Sequence, residues 1–153
     1  MVAKARPTLS YETLAESRSH LPAILDAAQD GLMVTLARGR SRRHAADGTV
    51  SVVKTDVLLG LLERIVADSI EADFNADDEL HTVGIRGLPL ATEAEQLGDA
   101  VAELVGDIRD YCDDWVERLR FVSNHAGNVP LVYLAQSMDD DDLQNWIVTQ
   151  TRE

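Results

Sequence analysis

The residues of one chemical type that most resist a bland account are cationic: Arg38, Arg40, Arg42, Arg43 and His44 fall in a single short stretch. Guanidinium groups grip phosphate oxygens through paired donors, so these arginines suit a polyanion if they share a surface. Arginines on a turn can also simply be solvated. Lys4, Arg6 and Arg18 add charge upstream, and two paired chains would double the whole set into one phosphate-binding face. Other chemistry is sparse. The histidines at 20, 44, 81 and 125 and the single Cys112 show no metal-ligand spacing, and there is no glycine-rich phosphate loop or nucleophile elbow. Cys112 falls on an apolar stripe, as a small buried hydrophobe would. Tyr111 and Trp115 share that stripe and read as core, while His125 sits in the polar turn SNHAGN. Asp139–Asp142 lacks the alternating ligands, glycine and distal glutamate of a calcium loop, and suits the positive end of a helix. No catalytic residue, metal ligand or cofactor is expected.

The charge is unevenly distributed. Of 153 residues, 14 are Lys or Arg and 27 are Asp or Glu, for a net charge of −13. Residues 1–50 hold seven cations and five anions (+2), and the remaining 103 hold seven cations and 22 anions (−15). Such asymmetry suggests two tasks, although an acidic surface also serves solubility. An apolar share of 45% with 27% charged residues is that of a globular chain, and it disfavours disordered and collagen-like classes. No apolar run approaches the ~20 residues of a membrane span. No apolar block follows Lys4 and Arg6, as a secretory leader would require. One cysteine excludes an internal disulfide, and a reducing, cytoplasmic setting is expected.

The elements that must position these residues begin at Leu9–Tyr11. Leu14, Leu21, Ile24, Leu25 and Ala28 then recur at helical spacing, with Ser10 as the expected cap and Gly31 as a left-handed end. Pro22 either kinks this helix or divides it near residues 19–22, and the sequence leaves both open. Residues 32–37 and 50–53 form a hairpin around Asp47–Gly48. Thr55 or Asp56 caps a helix with the stripe Val57, Leu58, Leu61, Leu62, Ile65 and Val66. So small an apolar surface predicts dimerisation of this first unit.

Glu71–Glu79 reads as an acidic linker and Leu80–Ile85 as a strand. A long helix runs to about Phe121 on the stripe Leu97, Val101, Leu104, Val105, Ile108, Tyr111, Cys112 and Trp115. Thr92 with Glu95 fits a capping box, unless residues 90–93 are still extended and the helix starts at Glu95 or Gln96. Val129–Ala135 reads as a strand with Pro130 at its edge, and a short helix carries Leu143, Trp146 and Ile147. The expected class is α+β: a strand-helix-hairpin-helix dimerisation unit, residues 1–70, then a small strand-helix-strand-helix unit, residues 78–150.

The order TLSYETLAESRSHLPAILDAAQDG-LMVTLARG followed by VSVVKTDVLLGLLERI resembles the amino-terminal domain of the Phd/YefM (prevent-host-death) antitoxins over residues 7–70. The features that carry it are Ser10-Tyr11, Asp30-Gly31, the hairpin, and the capped helix from Thr55. The second half is similar to the extension of longer actinobacterial members, and to HicB-type antitoxin domains. That likeness rests on Gly87-Leu88-Pro89-Leu90, Leu97, Ala100, the run Arg109–Trp115, Asn124-His125, Asn128 and Leu131-Val132.

The resemblance implies a type II antitoxin: a homodimer that represses its own promoter and neutralises a cognate toxin protein. It implies DNA contact by Arg6, Ser10, Tyr11, Arg18 and His20, with Arg38 and Arg40 beside them and Lys4 added by charge. The hairpin carries an insertion, RSRRHAADG, and Pro22 interrupts the first helix. Glu12 and Glu16 put negative charge on the expected DNA face. These features leave a second reading open, an acidic protein-interaction module that keeps the fold without binding DNA. An enzyme would need clustered carboxylates, whereas the acids here line a solvated helix face.

Overall fold

The computed structural model describes residues 9–11, 13–38 and 48–151. The architecture is α+β, in two compact units, Met1–Leu58 and Leu59–Glu153. The boundary falls within a helix.

In the first unit, β1 (Leu9–Tyr11) pairs in parallel with β2 (Val34–Arg38), which pairs antiparallel with β3 (Gly48–Val52). Between β1 and β2 the chain forms two helices, α1 (Leu14–Ser19) and α2 (Leu21–Gln29). Pro22 thus divides the helix. Its ring sits in the first turn of α2, where a missing N–H leaves no bond unmade. The cap of α1 is Thr13 and not Ser10: Thr13 Oγ1 accepts from Glu16 N–H at 3.1 Å, while Ser10 is in β1, paired with Thr35. Gly31 closes α2 at φ +83°, with Gly31 N–H donating to Ala28 O and Leu32 N–H to Ala27 O, both at 3.0 Å. Ile24, Ala27 and Val34 form the buried core, with Tyr11, Leu36 and Val52 packed against it. The Asp47 half of the expected turn lies outside the described residues; Gly48 pairs with Arg38.

Helix α3 (Thr55–Ala67) buries Leu62 and Val66, whereas Val57, Leu61 and Ile65 are exposed. The second unit then differs from the expected strand-helix-strand-helix order. Residues 71–79 are not a linker. They supply β4 (Ile70–Asn75) and its turn, in the antiparallel sheet β4-β5-β6 with β5 (Leu80–Ile85) and β6 (Leu90–Ala94). Strand β4 lies at the sheet edge with mostly exposed side chains, and its alternation of Ile70, Ala72 and Phe74 with Glu71, Asp73 and Asn75 was hidden by the acidic composition of the segment. Asn75 organises its turn, accepting from Asp77 N–H at 3.0 Å and donating to Asp78 Oδ2 at 2.7 Å.

Helix α4 (Leu97–Glu117) packs across β5 and β6. The Thr92–Glu95 capping box does not form. Thr92 is in β6, its buried hydroxyl donating to Ala100 O at 2.6 Å, and Gln96 starts the helix. The helix also stops at Glu117, before the 3-10 turns Leu119–Phe121 and Ser123–Asn128.

Val129–Ala135 is helical, not a strand: α5 spans Val129–Ser137 with Pro130 in its first turn. The same lack of an N–H that suits an edge strand suits a helix start. Burial of Leu131, Val132, Leu134 and Ala135 in the helical core overrides the β-branched composition. Helix α6 (Asp140–Gln150) is capped by Asp139, which accepts from Asp142 N–H at 2.8 Å, and it buries Leu143 and Ile147.

Candidate nucleic-acid interface

The break at Pro22 leaves His20 as the joint between two helices, the last residue associated with α1 and the residue before α2. Its imidazole stacks on Tyr11 at the end of β1, with ring centroids 5.5 Å apart and planes 29° apart. Tyr11 is half-buried against the core of its unit. A ring anchored on a strand therefore braces an exposed ring at a helix end, which limits the conformations open to His20. Arg18 is exposed in the last turn of α1, where its cation also complements the negative end of the helix. Inner hydrogen bonds hold that short helix: Ser17 Oγ donates to Thr13 O at 3.0 Å and Ser19 Oγ to Glu16 O at 2.8 Å. Tyr11, Arg18 and His20 thus gather at one end of α1, with Glu16 exposed one turn earlier.

Of the remaining expected contacts, Ser10 and Arg38 are placed by backbone pairing with Thr35 and Gly48, and Lys4, Arg6 and Arg40 lie outside the described residues. Arg42, Arg43 and His44 lie outside them as well.

The second unit contains a cluster that linear spacing conceals. Asn128 Nδ2 donates to the Tyr111 hydroxyl oxygen at 2.7 Å, and that oxygen lies 2.9 Å from His125 Nδ1. Trp115 Nε1–H donates to His125 O at 3.3 Å. Burial raises the Tyr111 hydroxyl above its ordinary pKa, against the lowering effect of Asn128. These bonds fasten residues 123–128 onto α4. A helix (i, i+4) pair facing a polar loop was the available sequence signal, but their partnership needs the chain to turn back. Cys112 is buried on the same helix, and desolvation pushes its thiol up to about 11, which keeps it protonated and unreactive. No group of three or more His, Cys, Asp or Glu that could hold a metal ion occurs among the described residues. Among these residues, too, no helix is long and apolar enough to cross a membrane.

A family model for PHD-like antitoxins, described as antitoxin of toxin-antitoxin, RelE/RelB, TA system, matches residues 9–145. The chain belongs to this antitoxin family. The match runs through both units of the PHD-like antitoxin, from β1 into α6.

The PHD-like fold also has a solved counterpart. A protein of Syntrophomonas wolfei subsp. wolfei, named as the antitoxin part of a toxin/antitoxin system, superposes with a TM-score of 0.68. The two are 15% identical, over 92% of this chain and 96% of that one. At that identity the likeness is one of fold. No curated protein matches the chain.

Proposed function

We propose that this antitoxin belongs to a type II system and is a dimeric DNA-binding autorepressor of the Phd/YefM kind. Its first domain, residues 1–70, contacts operator DNA through Lys4, Arg6, Ser10, Tyr11, Arg18, His20, Arg38 and Arg40. Its second, residues 78–150, is an acidic HicB-like region that holds the cognate toxin protein. The protein acts in the cytoplasm as a regulator without catalytic activity of its own.

The observation that carries this reading is the Tyr11–His20 stack beside exposed Arg18. It supplies a braced ring and a guanidinium at one helix end, a combination suited to positioning against a phosphate backbone. Exposed Leu21, Leu25, Met33 and Val50 in the first unit support self-association. The charge of −15 on residues 51–153 supports a basic partner for the second.

The test is a gel shift with the DNA upstream of the antitoxin's own gene. If about 6–10 phosphates are contacted, affinity falls about 10³–10⁵-fold between 50 and 200 mM salt. No shift at the low-salt end overturns the repressor reading. Exposed Glu16 on α1 favours the alternative, an interaction module without DNA binding. That alternative requires the product of the neighbouring gene to co-purify with a protein that shifts no DNA.

A further inference from the structure

Among the described residues no strand pairs with the outer edge of β4, and its hydrogen-bonding groups can be assigned. Arg86 N–H donates to Ser69 O at 2.7 Å, just beyond the pairing of Ile70 with Ile85. Narrow and wide pairs alternate in an antiparallel ladder, so Glu71, Asp73 and Asn75 bond to β5, and Ile70, Ala72 and Phe74 point their peptide groups outward. The Phe74 N–H confirms this phase, because it donates to the Asp73 carboxylate at 2.9 Å and not to β5. No described strand pairs with the outward groups of Ile70 and Ala72.

The two faces flanking this edge differ in chemistry. Ala72 and Phe74 pair with Val83 and His81, on the α4 side of the sheet. There a groove of about 310 Å³ runs beside the edge, lined by Ala72, Asp73, Phe74, His81, Leu97 and Thr151. Phe74 is 51% exposed, with its ring 4.7 Å from that of His81. On the opposite face, Glu71 and Asp73 are exposed and stand over Gly84 and Thr82. Glu93 lies on the same face, and Arg86 is the cation there, bonded to Glu71 at 2.6 Å. A Cβ at Gly84 would sit 2.9 Å from Leu90 O, so this face stays shallow, with a trough of about 560 Å³.

We infer that β4 accepts an extended segment of a partner protein as an added strand, and that the segment alternates apolar with basic residues. Basic side chains meet Glu71 and Asp73, apolar ones enter the groove beside Phe74, and the outward peptide groups of Ile70 and Ala72 complete the ladder. A second copy fits poorly, since antiparallel pairing of β4 with itself sets these carboxylates against their own kind. This inference rests on the reading that the second unit holds a partner, and it deepens that reading by naming the surface.

The probe is a short peptide alternating valine with lysine, titrated into the full-length labelled protein. Its controls are a scrambled peptide of identical composition and a valine-glutamate peptide. The alternating peptide is expected to bind best and to protect the Ala72 amide from exchange. Ala72→Pro, which removes an outward N–H at an edge position that tolerates proline, is expected to weaken binding about tenfold. Asp73→Lys, which leaves the backbone intact, is expected to weaken it as well.

Equal binding of the scrambled peptide, or no protection at Ala72, overturns the inference. So does a dimer that dissociates on Ala72→Pro, because a second copy would then occupy the edge. In cells expressing the neighbouring gene, failure of the unaltered protein to restore growth defeats the antitoxin reading. Equal rescue by the unaltered protein and by both variants defeats the edge alone.

Discussion

Arg109 Nε donates to Asp140 Oδ1 at 2.8 Å, joining the middle of α4 to the first turn of α6. The same guanidinium donates to Met138 O at 2.8 Å and to Ala135 O, carbonyls at the end of α5 and just past it. One planar cation thus satisfies the carbonyls left by one helix and a carboxylate in the first turn of the next. Its removal is expected to leave two part-buried carbonyls without a partner. Arg109→Ala should destabilise the protein by about 2–4 kcal/mol in urea melts, and Arg109→Lys by less, because an ammonium lacks the fork. No loss on Arg109→Ala would show that water replaces the bonds freely.

Tyr111 and Cys112 make stability depend on alkaline pH. Burial raises both pKa values, the cysteine from 9.0 to about 11. Each group therefore holds its proton more tightly folded than unfolded. Their contribution is complete below the unfolded values, and is lost as pH rises through the folded ones. For Cys112 the loss across pH 9 to 11 is on the order of 2 kcal/mol. Denaturant melts through that window should show the decline, and Cys112→Ala should flatten it. At pH 8 the native thiol should react roughly two orders of magnitude more slowly than a free cysteine, because that much less thiolate is present.

Arg18 is expected to act as a phosphate contact. In the gel shift, Arg18→Ala should lower affinity for all sequences alike and reduce the salt slope by about one per protomer. A loss confined to one operator sequence would make Arg18 a base reader. An unchanged slope would remove it from the interface.

Gly31 and Gly84 separate two reasons for glycine. A Cβ at Gly31 meets nothing within 4 Å, so Gly31→Ala carries only the left-handed backbone at φ +83°, about 1–2 kcal/mol. At Gly84 the backbone is ordinary, but a Cβ would approach Leu90 O at 2.9 Å and the Ala91 Cβ at 3.1 Å. Gly84→Ala should cost about 1–3 kcal/mol and shift the cross-strand amide resonances of β6. Equal spectra for the two variants would contradict the distinction.

Much of this fold was legible in the linear order. The apolar stripe of α4 repeats over many turns, and most of it is buried where the spacing placed it. Gly31 at the end of α2 and the acidic start of α6 depend on local backbone chemistry, and each formed as expected. Long and local signals survive because neighbours within one element generate them. The misreadings at residues 71–79 and 129–135 share one cause. Both segments are short, and what they pack against lies elsewhere in the chain. For β4 the missing information was β5. For α5 it was the helical core that takes up Leu131, Val132, Leu134 and Ala135. At the proposed interface, the family resemblance singled out Tyr11, Arg18 and His20 without ordering them in space. Their gathering depends on a helix divided at Pro22, one of two outcomes the residues allowed.

Local chemistry was enough to set helix stripes, glycine turns, the acidic start of α6 and the division of charge between a weakly basic beginning and a strongly acidic remainder. Those are properties of each residue and its near neighbours along the chain. Three-dimensional packing was needed to stack His20 on Tyr11, to seat His125 between Tyr111 and Trp115, to aim Arg109 at three oxygens, and to leave the β4 edge without a strand partner among the described residues. Each of these depends on residues distant in sequence meeting at bonding distance. Burial against the rest of the fold selects such meetings, and spacing along the chain does not encode them.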